Sequence, residues 1–135
     1  MPASSVQIAK VTDPRRRQRL AIIKNLYAWS FQANAISLGA TSRKIIDQLP
    51  TIDQSLKQYA PKWALSKINQ IDLAILRYSI WELTHHHQLP PKVVINEAVE
   101  IAKIYGNDNS SKFINGVLGT IVRELQLLPD ESAST

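Results

Sequence analysis

The chain has 135 residues, no cysteine, 44% apolar residues and a formal charge of +5. This is enough for one domain with a single packed core, and the missing cysteines exclude a disulfide framework, a thiolate metal site and a cysteine nucleophile. Apolar runs stay far below the roughly twenty residues that span a bilayer, and the first residues lack the apolar stretch of a signal peptide, so the expected compartment is cytoplasmic.

Residues 1–12 are small and polar and read as a flexible leader; 13–128 read as one helical domain. Asp13 is a plausible N-cap with Pro14 at the first helical position. The set Leu20, Ile23, Leu26, Tyr27, Phe31 then recurs at helical spacing to about Gln32, with Ile22 and Trp29 suggesting burial on more than one face. Two short helices are expected near 42–49 and 51–59, divided by Pro50. Pro61 opens a further turn carrying Trp63, Leu65 and Ile68. From Gln70 the stretch QIDLAILRYSIWELTHH has an apolar surface too broad for an edge helix, which predicts a central one. Pro90 and Pro91 break the chain. VVINEAVEIAKIYG follows as a helix closed by Gly106, and Ser110 or Ser111 caps a last helix that runs toward Pro129. Residues 129–135, PDESAST, read as a disordered tail. No segment shows the period-two alternation of a strand, so the fold class is all-α.

Net charge is confined to one place. Between Lys10 and Lys24 stand six basic residues against the single acid Asp13, whereas the rest of the chain balances ten against ten. Arg15, Arg16, Arg17 and Arg19 can each grip phosphate oxygens in bidentate fashion, which points to a polyanion. At about 100° per residue the four cannot enter one groove, so a flexible nucleic acid suits them better than a rigid duplex. Cations at a helix N-terminus also oppose the macrodipole, which argues against a merely solvated helix start. Tyr27 and Tyr105 are the aromatics best placed for exposure and stacking; the others sit in apolar stripes.

Other constellations carry less. His85, His86 and His87 are consecutive, whereas helical metal pairs stand four apart, so a polar helix end is the preferred reading and no metal or cofactor is expected. Glu97 and Glu100 share a helix face without a nucleophile beside them, and GNDNSSK from Gly106 to Lys112 lacks the second glycine and the preceding strand of a phosphate loop. No enzymatic chemistry is indicated.

The segments LAILRYSIWEL, PPKVVINEAVEIAKIYG and SSKFINGVLGTIVREL, preceded by RRRQRLAIIKNLYAWSF, resemble the NusB family of transcription antitermination factors over residues 15–32 and 62–125. The resemblance implies a fold of two packed helical subdomains and binding of boxA-like single-stranded RNA of ribosomal RNA operons together with NusE, a small-subunit ribosomal protein. That pair would serve an RNA polymerase antitermination complex and ribosomal RNA maturation. By position, Arg15, Arg16, Arg17 and Arg19 match the family's RNA-contacting motif, and Tyr27 a residue near both the RNA and partner surfaces. Arg77 and Glu82 match the NusE-facing side, and Lys103, Lys112 and Asn115 extend the RNA track. Some relatives pair through helical faces and others do not, so a homodimer is one of two states the resemblance allows. Two departures stand out: a shortened stretch between Gln32 and Pro61, which would trim the first subdomain, and Gly119 where relatives often carry an acid. An accessory domain of an RNA-modifying system and a protein scaffold without RNA are the alternative readings.

Overall fold

The computed structural model describes residues 13–32, 37–62, 64–86 and 88–125. The leader and tail expectations, Trp63, His87 and the last helix beyond residue 125 lie outside these. Among the described residues there are six α-helices and no strand: α1 (Pro14–Phe31), α2 (Ala40–Asp47), α3 (Leu49–Tyr59), α4 (Gln70–His85), α5 (Pro91–Tyr105) and α6 (Ser110–Glu124), with a 3-10 turn at Leu65–Lys67 before α4.

Helix α4 organises the molecule. Its residues are apolar around most of the circumference, and a helix of that kind must be covered on all sides. All other helices pack against it, and Leu73–Leu76 together with Tyr78–Leu83 are buried. Its start is fixed locally, since the Asn69 side chain accepts a hydrogen bond from the Ile71 N–H at 3.0 Å. Helices α5 and α6 form the closest pair, facing each other through stripes at helical period, Val94, Ala98, Ile101 and Ala102 against Ile114, Val117, Leu118, Ile121 and Val122.

Helices α2 and α3 are short and bury one stripe, in which Ile45, Leu49, Ile52 and Leu56 are the large members. Helices of 8 and 11 residues are marginal alone, so this stripe against α1, α4 and α6 is what holds them. Pro50 does not divide the two helices as expected. It occupies the first turn of α3, where its missing N–H would be unpaired in any case. Helix α1 fully buries one stripe, Arg19, Leu20, Ile23 and Leu26, while Ile22 and Trp29 on its other sides are half-buried and packed against the core.

The α5–α6 connection follows the expected stop at Gly106 for a different reason. Its backbone is extended (φ −89°, ψ −172°), so left-handed freedom is not what it supplies. A Cβ there would collide with the Ser110 side chain and lie 2.8 Å from the Ala102 carbonyl. Ser110 is not the helix cap: Asn109 is, and the buried Ser110 hydroxyl accepts the Asn107 N–H at 2.9 Å from within the first turn.

Candidate nucleic-acid interface

The arginine cluster is anchored by its own N-cap. The Asp13 carboxylate accepts from the N–H groups of Arg15 at 2.9 Å and Arg16 at 3.4 Å, and the first of these bonds is the chief reason its carboxyl sits below the usual carboxylate range. With α1 started there, the helical twist sorts the four arginines. Arg15 and Arg17 are exposed, the Arg15 side chain at 83%. Arg16 and Arg19, three apart, turn inward toward α5 and α4.

Arg16 forms a two-pronged bridge to Glu97 of α5, Nε to Oε2 at 2.9 Å and Nη2 to Oε1 at 2.8 Å. Arg19 donates from Nε to both carboxylate oxygens of Glu82 in α4, at 3.2 and 3.1 Å, and its Nη1 lies 3.9 Å from Glu97. The Tyr78 hydroxyl completes the group by donating to Glu82 Oε2 at 2.7 Å. Burial, reinforced by that hydrogen bond to a carboxylate, pushes the Tyr78 phenol up. Buried charges persist only when paired and hydrogen-bonded, and here every one is.

Glu82, expected on the face presented to a protein partner, is therefore an interior residue with a side chain only 5% exposed. Arg77 is likewise engaged inside the molecule, donating to Asp53 of α3 at 3.0 and 2.9 Å. Tyr27, the remaining partner candidate, is exposed. It makes an edge-to-face pair with Phe31 one turn on, centroids 5.0 Å apart, and Phe31 is more exposed still.

Arg17, Lys24 and Phe31 stand seven apart on the outer side of α1, a helical row that the exposures follow. Lys24 Nζ lies 5.6 Å from the centroid of Tyr105 at the end of α5, so cation and aromatic meet where the two helices adjoin. Lys103, on α5, is exposed and reaches Glu100 at 3.4 Å. Lys112 and Asn115 are exposed on α6, a helix that packs on α5, α4 and α3, so they form a second group apart from the arginines. Lys112 borders a cavity of about 470 Å³ beside the buried Asp72. Burial pushes the Asp72 carboxyl up, a contact with the Ser110 hydroxyl partly opposing it, and Oδ1 has no hydrogen-bond partner.

Among the described residues no three His, Asp or Glu side chains gather as a metal site, and no helix is long and apolar enough to cross a membrane. His85 and His86 bracket Trp81 instead, one ring stacked on the indole at 5.3 Å and the other edge-on at 5.0 Å.

The NusB family model matches residues 37–123, most of α2 to α6. The chain is 35% identical to the transcription antitermination protein NusB of Thermotoga sp. (strain RQ2), an alignment covering 82% of this chain and 92% of that protein. It belongs to the NusB family. The Thermoanaerobacter sp. (strain X514) NusB is 47% identical over 87 residues, 64% of this chain and 61% of that protein. A solved T. maritima NusB superposes with a TM-score of 0.73 at 34% identity, covering 83% of this chain and 92% of that one. The family is one of transcription antitermination proteins with an all-helical fold, as the sequence resemblance implied.

What sequence reasoning missed at the site is the division of the arginines, because the acids that claim Arg16 and Arg19 stand 81 and 63 positions away. It also placed Phe31 in the apolar stripe, whereas the side chain is exposed at the end of α1, and counted Lys24 in the basic cluster without naming it a contact residue. The seven-residue spacing from Arg17 was the signal that could have found both.

Proposed function

We propose that this NusB-family protein binds boxA-like single-stranded RNA of ribosomal RNA operons together with NusE, as a non-enzymatic part of an RNA polymerase antitermination complex that also aids ribosomal RNA maturation. The observation that carries the reading is the pair of outward guanidinium groups, Arg15 and Arg17, at the start of α1, on a helix whose inner arginines are held by carboxylates. Exposed cations of this kind neutralise phosphates and release counterions. Lys24, Lys103, Lys112 and Asn115 offer further exposed polar contacts, and Tyr27 with Phe31 offers an aromatic surface for bases or for NusE. Arg16 and Arg19 serve the same interface by holding α1 in place.

A titration with labelled single-stranded boxA-like RNA, with and without NusE, at several salt concentrations tests this. Affinity should fall with salt at a log–log slope of about −0.7 per phosphate engaged, and NusE should tighten binding. Binding that ignores salt, or that NusE leaves unaltered, contradicts the reading.

A further inference from the structure

A groove of about 460 Å³ lies between α1, α2 and α4, on the Arg15 side of the first helix. Trp81 forms part of its lining, with His85 stacked against the indole at an interplanar angle of 16° and His86 standing edge-on. The His85 Nδ1 lies 3.0 Å from the Trp81 carbonyl oxygen, the geometry in which Nδ1–H donates and Nε2 remains as an acceptor. Arg15, Arg19, Lys44 and Glu82 are the lining groups that carry permanent charge. Arg19 and Glu82 neutralise each other, which leaves Arg15 and Lys44 as the exposed cations of the lining, beside a heteroaromatic wall. Among the described residues the acid nearest Arg15 is Asp13, at 4.0 Å, and that carboxylate also accepts the capping N–H groups.

A flat ring with donors and acceptors at its edge, joined to a phosphate, satisfies both halves of this lining. We infer that the groove is a binding site for one nucleotide unit of single-stranded RNA, the base against the rings of His85 and His86, which cover the buried Trp81, and the phosphate between Arg15 and Lys44. The strand reading the arginine helix then passes over its α2 side, from Arg15 of the charge cluster to Lys44, His85 and His86 outside it. The volume is within the roughly 300–1,000 Å³ of small-ligand sites. This inference rests on the RNA-binding reading above and adds to it a path and a stacking pocket.

The test uses the full-length protein, a labelled single-stranded RNA, and the exposed-residue variants Lys44→Ala and His85→Ala beside Arg15→Ala/Arg17→Ala. Lys44→Ala should reduce the salt slope by about 0.7, one phosphate contact. His85→Ala should weaken binding about tenfold with the slope unchanged, as loss of a stacked base does. Ultraviolet crosslinking should attach RNA to the tryptic peptide 78–92, which contains Trp81. Inorganic phosphate alone should compete far less well than a nucleoside monophosphate. Equal competition by the two would leave a bare anion site and overturn the stacking claim. Wild-type affinity in both groove variants, with binding lost in the double arginine variant, would overturn the groove while leaving the RNA reading intact. Absence of RNA binding by the unaltered protein would remove both.

Discussion

The outer and inner sides of α1's opening turns carry the same residue type in opposite roles. Outside, Arg15 and Arg17 are exposed to water, Arg15 with only a long 4.0 Å contact to Asp13 among the described residues; inside, Arg16 and Arg19 are held by Glu97, Glu82 and, through Glu82, Tyr78. A guanidinium in solvent is available to a phosphate at little cost, whereas one in a buried pair must first leave a carboxylate that would then stand unpaired. The difference teaches that an arginine-rich motif can be half exposed and half clamp, the clamp tying α1 to the two helices beneath it.

The largest expected effect breaks the inner side. Glu82→Lys places a second cation against Arg19 in a buried position and should destabilise the fold by about 3–5 kcal/mol, the usual scale for breaking a buried pair, read as a lowered thermal or urea midpoint. A wild-type midpoint with altered partner binding would return Glu82 to the surface role that the resemblance gave it. On the outer side, Arg15→Ala/Arg17→Ala should leave the helical circular dichroism and the midpoint unchanged while reducing the RNA salt slope by about 1.4, two contacts at 0.7 each. If stability falls instead, the outer arginines are structural as well.

Arg16→Ala sharpens the contrast. It should cost about 1–3 kcal/mol, the range for orphaning a charged partner in a half-buried site, and Arg16→Lys should recover only part of this because an ammonium cannot make the two parallel bonds. Should Arg16→Ala change the salt slope as much as Arg15→Ala does, the division into two sides fails. The smallest effect concerns Asp72, a buried carboxylate in the first turn of α4 that, unlike Glu82, is in no ion pair among the described residues. Its pKa is raised above the usual 3.8 by burial. The folded state therefore binds this proton more tightly than the unfolded chain, and the associated stability is present at low pH and lost as pH rises through the folded pKa. Asp72→Asn should remove that part of the pH dependence and raise stability slightly at neutral pH, measured as urea midpoints across the acidic range. A variant less stable than wild type at neutrality would mean that the charge itself is needed.

Helical content, the start of α1 at Asp13–Pro14, the central place of α4 and the existence of α5 and α6 were all legible in the sequence, because caps and 3.6-residue periodicity act between neighbours in the chain. The family, too, was legible from the segments around α4 to α6. Tertiary structure alone decided which arginines remain free, since Glu82 and Glu97 reach them from distant helices and no local rule pairs residues 63 or 81 positions apart. It decided likewise that Arg77 faces Asp53, that Ser110 is buried and not a cap, and that Lys44 and Trp81 share a groove. Local periodicity says which face of a helix is apolar. Which charge meets which is set only when two such faces close on each other.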